Sequence, residues 1–251
     1  YENDRNNISS YLNIQTNDAL TPLHFACNNN NKVMVDLLIQ FPDSINPNLY
    51  NFQEETPLLI AASHDEKLIV KRLLRLPQLN VNSPFIRSNK TPLFIACEHW
   101  NMKIFNLLFN DLRIDINCQL SGSKITPLMN SIETFKEDIF YLLLNDSKID
   151  LTIVDKDGLT ALHYACRKEN LKYIKDIIKR ASEISSIDLS SFINKQTEKG
   201  LTAFHYVCLS SDKEIIFYFM ELSRKSELNI DINLQDNQGL NSTFRILISY
   251  H

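Results

Sequence analysis

The chain has 251 residues, 44% of them hydrophobic and 22% charged, the balance of a folded chain and not of a disordered one. A formal net charge of −4 gives no basic field for a nucleic-acid backbone, and only 4 glycines argue against Gly-rich phosphate loops. No apolar run approaches the ~18 residues needed to span a bilayer, and no positively charged segment followed by an apolar stretch opens the chain.

Residues 1 to 20 hold no complete repeat, and the first recognisable phrase is Thr21-Pro22-Leu23-His24-Phe25-Ala26-Cys27. It returns at Thr56-Pro57-Leu58, Thr91-Pro92-Leu93, Thr126-Pro127-Leu128, Thr160-Ala161-Leu162-His163 and Thr202-Ala203-Phe204-His205. The threonines are spaced by 35, 35, 35, 34 and 42 residues, and a seventh, degenerate start falls near Asn241. A second recurrence lies 13, 14, 17 and 18 residues after each threonine: Met34, Val35, Leu38 and Ile39 in the first repeat, Ile69, Val70, Leu73 and Leu74 in the second. It runs on to Ile215, Ile216, Phe219 and Met220 in the sixth. Apolar residues at this spacing share one face of a helix.

The phrase itself starts a helix. Threonine can accept a hydrogen bond from the first turn, and proline at the first helical position lacks only a donor that would be unpaired anyway. Each repeat therefore reads as a short helix, a tight turn, a second helix and an extended, hairpin-like loop. A repeat this small cannot bury its own stripe and must stack on its neighbours. The expected fold is an all-α solenoid of about six full repeats with partial ones at its ends, forming a single domain over residues 1–251. The 42-residue spacing puts extra residues around 181–191, read as a longer second helix and a polar loop, with a functional protrusion or a phosphorylation site as the alternative. A smaller extension is expected at 223–229. Phe244, Ile246, Leu247 and Ile248 are poorly suited to a solenoid end, so the chain is expected to be an excerpt of a longer array.

The Thr-Pro-Leu-His-x-Ala phrase, the spacing near 33, and the loops Asp155-Lys156-Asp157-Gly158 and Asn233-Leu234-Gln235-Asp236 resemble ankyrin repeats over about residues 13 to 251. The departures are Leu59, Phe94 and Met129 in the histidine slot and the absence of the usual loop glycine from most repeats. The resemblance implies that His24, His163 and His205 hydrogen-bond the threonine hydroxyl and loop backbone. Cys27, Cys97, Cys166 and Cys208 occupy one slot as small buried hydrophobes. With Cys118 they are expected to be reduced, because equivalent helices pack about 8–10 Å apart, beyond the ~7 Å Cα separation a disulfide tolerates. No Cys-x-x-Cys or His-x-x-x-His pair suggests a metal, and Asp155 with Asp157 lacks a Ser, His or Lys constellation for catalysis. No catalytic residue, cofactor, metal or small-molecule substrate is therefore expected, and the chain reads as a non-enzyme.

The resemblance implies a scaffold that binds another protein on a concave surface. The alternative is a substrate-recruiting or regulatory module of a larger enzyme, a ubiquitin-ligase adaptor or a pathogen effector. The expected location is cytoplasmic or nuclear, and the host cytosol for an effector, without membrane insertion or nucleic-acid binding. The frequent asparagines, including the run Asn28 to Asn31, read as codon bias. In the family, positions 6 and 4 before the threonine and 7 or 8 after it face the concave side. In the second and third repeats they hold Tyr50, Phe52, His64, Phe85, Arg87 and His99, followed by Trp100, the only tryptophan. These seven are the expected protein-binding residues, since hot spots favour Trp, Tyr and Arg. The other use of such rings is to fold back onto the loops and hold them together.

Overall fold

The computed structural model describes residues 8–209, 212–224 and 230–241. Among them the chain is helical with no strand, and one isolated antiparallel bridge joins Gln235 to Asn241. It forms two compact units, Tyr1–Gly122 and Ser123–His251. The N-terminal unit contains three helix pairs: α1 (Pro22–Asn28) with α2 (Lys32–Leu38), α3 (Pro57–Ser63) with α4 (Lys67–Leu73), and α5 (Pro92–Glu98) with α6 (Met102–Phe109). The C-terminal unit contains α7 (Pro127–Glu133) with α8 (Glu137–Leu144), α9 (Ala161–Arg167) with α10 (Leu171–Glu183), a short α11 (Leu189–Ile193), and α12 (Ala203–Cys208) with α13 (Lys213–Arg224). Within each unit, first helices of successive repeats pack side by side, α1 on α3 on α5 and α7 on α9 on α12.

The expected signals form these helices. Thr21, Thr56, Thr91 and Thr126 each accept a hydrogen bond from the backbone three residues on, and proline follows each of them. The stripe of each second helix is the seam between layers: Ile69, Val70, Leu73, Ile104, Phe105, Leu108, Ile139, Phe140 and Leu143 are fully buried. Each contributes about 1.5–3 kcal/mol by leaving water. In the N-terminal unit the fourth stripe position is shallower, with Ile39, Leu74 and Phe109 only half-buried. Met34, expected in the stripe of the first repeat, is exposed, because among the described residues no helix pair precedes its own to cover it.

Two backbone positions in the repeat are left-handed. Two residues before the threonine stand Ala19, Glu54, Asn89, Lys124, Gly158 and Gly200, with Gly239 in the same place before Asn241; nine residues after the threonine stand Asn30, Asp65, Trp100, Phe135 and Glu169. All have φ between 51° and 83°. The missing loop glycines thus leave the turn unchanged, and L-residues occupy it at a cost in strain.

Asparagine has structural uses beyond codon bias. Asn13, Asn48 and Asn82 accept hydrogen bonds at 2.7, 2.7 and 2.9 Å from the backbone of Asn46, Asn80 and Asp115, one repeat on. Asn31, Asn101 and Asn170 cap the second helices of their repeats. Arg113 satisfies carbonyls just after α4, donating to Leu74 and Leu76 at 3.0 and 2.9 Å, and Arg180 does the same for Leu144, the last residue of α8, at 3.1 Å.

The insertion differs in detail from its expectation. The longer second helix is present as α10, but the polar loop contains a further helical turn, α11. Asp188 caps it by accepting from Ser191 N at 3.0 Å, and its own Phe192 and Ile193 are buried. The rest of the seventh, partial repeat after Asn241 and most of the extension at 223–229 lie outside the described residues.

Candidate functional site

All seven residues expected at an interface belong to the N-terminal compact unit, and five of them line one or the other of two separate clefts. The first is built by the loops before α3 and α5. Asn51, buried, accepts from Glu55 N at 2.8 Å and closes the first loop. Left-handed Glu54 then reaches the second loop, where one carboxylate oxygen accepts from Arg87 N at 2.9 Å and the other lies 2.8 Å from Arg87 Nε. Phe52, 73% exposed, and half-buried Phe85 line a cleft of ≈ 260 Å³ together with Gln53, Glu54, Arg87 and Ser88. The Arg87 side chain is 90% exposed. Tyr50 stands apart from this cleft. It is half-buried, burial raises its phenol pKa, and its hydroxyl donates to Pro84 O at 2.9 Å. Its ring ties the two loops together, the second of the uses open to it.

The second cleft lies at the turns between first and second helices. His99 ends α5, and Trp100 follows it in the left-handed region at φ 52° with 60% of its surface exposed. Across the cleft stand Ser63 and Asp65, and Asn101 Nδ2 donates to Asp65 Oδ1 at 2.6 Å. The volume is ≈ 410 Å³. His64 is exposed at the end of α3, outside the walls of both clefts.

Sequence reasoning missed what is unusual about Trp100. A signal was present, since the same slot holds Asn30 and Asp65 in the two preceding repeats, and Asn and Asp tolerate the left-handed region best. The slot also contains a residue that the sequence reading passed over. In the C-terminal unit Phe135 is 58% exposed at φ 55°, with Lys168 Nζ 5.4 Å from its ring centre. Nearby, Glu133 pairs with Arg167 at 2.7 Å and Lys168 at 2.8 Å. Burial raises the pKa of the Glu133 carboxyl, but the two cations outweigh it and hold the group below the usual carboxylate range.

In both units exposed rings stand beside charged groups, while the buried His24, His163 and His205 are hydrogen-bonded to the threonine that starts each helix. Among the described residues, no three His, Cys, Asp or Glu side chains are grouped to hold a metal ion, and no helix is long and apolar enough to cross a membrane.

A family model described as ankyrin repeats in three copies matches residues 3–84, 44–120 and 93–188. No curated protein matches the chain. Among solved structures, the chain is similar to the ankyrin repeat domain of Bcl-3, a member of the IkappaB protein family, with a TM-score of 0.67 and 20% identity over 93% of this chain and 100% of that one. It is also similar to EF0377, an ankyrin repeat protein, with a TM-score of 0.56 and 24% identity over 73% of this chain and 90% of that one. At such identities the likeness concerns the fold. Ankyrin repeats are in general protein–protein interaction modules without catalytic activity of their own. Its phrase, its stacked helix pairs and the family model agree, and the chain belongs to the ankyrin repeat family.

Proposed function

We propose that this chain is a non-catalytic scaffold that binds a partner protein on the side lined by its loop tips and helix ends. Phe52, Phe85 and Arg87 contact the partner from the loops, His64, His99 and Trp100 contact it from the helix ends, and Tyr50 holds the loops from beneath. The observation that carries this reading is Trp100. A bulky L-residue in the left-handed region costs about 1–2 kcal/mol, and a ring 60% exposed recovers little of that by burial. Folding alone favours a smaller residue there. Strain kept at an exposed aromatic points to recognition, and tryptophan is a side chain that binding hot spots favour.

Trp100→Gly separates the two roles because their signs are opposite. Glycine adopts a positive φ freely, so the variant should melt no lower than the wild type, its looser unfolded chain offsetting part of the gain. Binding should weaken by about 30-fold, the scale of one hot-spot residue. The partner is captured from a lysate and identified by mass spectrometry, and its affinity for both purified proteins is then measured. Equal affinity for wild type and variant would overturn the proposal.

A further inference from the structure

The cleft beside Trp100 continues along the surface of the N-terminal unit. A neighbouring cleft of ≈ 280 Å³ is walled by Lys67, Met102, Lys103, Asn106, Leu107 and Asn110, so Met102 and Lys103 belong to both. The two make one groove that starts at the indole and follows α6 to Asn110. At 1.5 Å per helical residue this path is about 15 Å long, the reach of four or five extended residues at about 3.3 Å each.

Its floor is apolar, from half-buried Met102 and Leu107. Its charged walls are Lys67 and Lys103, both exposed, and among the described residues no carboxylate pairs with either. No acidic side chain lines the far half of the groove. The acid of the near half, Asp65, already accepts from Asn101. These cations stand out in a chain of net charge −4. Their position is also unfavourable for the helices. Lys67 opens α4 and Lys103 lies in the first turn of α6, where the helix dipole favours a carboxylate. Helix stability therefore does not account for their sign.

We propose that this groove takes an acidic segment of the partner protein, which docks an apolar side chain against Trp100 and sets carboxylates at Lys67 and Lys103. The proposal rests on the reading of the chain as a protein-binding scaffold, and it adds the chemistry of what is bound. Electrostatic complementarity of this kind sets partner choice and association rate, and it weakens as salt screens it.

The test is a selection of random dodecapeptides displayed on phage against the full chain. Affinities of the selected peptides are then measured for wild type, Trp100→Gly and the double variant Lys67→Glu/Lys103→Glu. Emission from Trp100, the only tryptophan, reports binding to the wild type and to the double variant, and calorimetry serves for Trp100→Gly. Selected peptides should combine Asp or Glu with one aromatic or Leu residue, bind more weakly as salt rises, and lose about tenfold in affinity for the double variant. The double variant should keep the wild-type melting temperature, because glutamate suits both helix starts. Peptides that lose affinity for Trp100→Gly but bind the double variant as well as wild type would overturn the acidic segment and leave the scaffold reading standing. Neutral or basic selected peptides, or no peptide binding to the folded chain, would also overturn it. The scaffold reading stands or falls separately, on the affinity of the captured partner for wild type and Trp100→Gly.

Discussion

Lowering the pH should unfold this array through its buried histidines, and His163 sets the scale. Its side chain has no exposed surface, with Nδ1 accepting from Thr160 N at 3.2 Å and Nε2 lying 3.1 Å from Lys195 O. These partners fix the neutral ring with its hydrogen on Nε2. A second proton, on Nδ1, would face the Thr160 amide hydrogen and enter without water. Burial therefore lowers the His163 pKa from 6.5 to about 4. Because the folded value lies below the unfolded one, the unfolded chain takes up the proton first. The stabilisation is complete above pH 6.5 and is lost as the pH falls through about 4. At 1.36 kcal/mol per pH unit the full loss is about 3 kcal/mol, of which about 2 kcal/mol is gone by pH 5. His24 is lowered by burial too and adds in the same direction. Glu133, lowered from 4.5, loses its share only at more acid pH, so the window between about 5 and 6.5 belongs to the histidines. His163→Leu is the matching perturbation, because Leu59 already fills this slot in the second repeat. Near pH 7.5 the variant should be about 1–2 kcal/mol less stable, from its lost hydrogen bonds. Near pH 5 the gap should close, since the variant has no proton to exclude. Urea unfolding followed by circular dichroism across this range measures both profiles. Parallel profiles would refute the reasoning, as would a wild-type stability that is flat from pH 7.5 to 5.

The two left-handed loop positions Ala19 and Gly200 should respond to substitution with opposite signs. Gly200→Ala places a Cβ 2.7 Å from Asn237 N and 2.9 Å from Asp236 Cα, so the next loop must shift. With the left-handed strain added, the loss should be about 3 kcal/mol in denaturant unfolding. Ala19→Gly removes one methyl at φ 58° and should stabilise by about 0.5 kcal/mol, the relieved strain less the cost of a freer unfolded chain; a loss there would contradict the assignment of strain. The thiols should be silent until the fold opens. Burial pushes Cys118 up to about 12 and raises Cys27 and Cys166 as well, and all five cysteines are buried. A thiol reagent near neutral pH should count five groups in denaturant and almost none in the native protein, and rapid native labelling of Cys118 would sink this expectation.

The period of the array was legible in the sequence because it is written in local chemistry. A threonine that caps, a proline that fits only at a helix start, and apolar residues spaced to share a face act within one repeat, whatever lies beyond it. The buried seam of Ile69, Phe105 and Phe140 followed from the same spacing. Tertiary structure decided what depends on residues one repeat away. Tyr50 turned inward because its hydroxyl finds the Pro84 carbonyl, 34 residues on. Trp100 and Phe135 were held in the left-handed region by the geometry of the turn between two helices, although neither residue favours it. Residues 184–193 gained a helix because Phe192 and Ile193 found a core to enter, and the groove from Trp100 to Asn110 exists only where two repeats lie side by side. Backbone propensity and helical period are properties of a few consecutive residues, whereas burial, strain and the shape of a surface belong to whichever repeats the fold brings together.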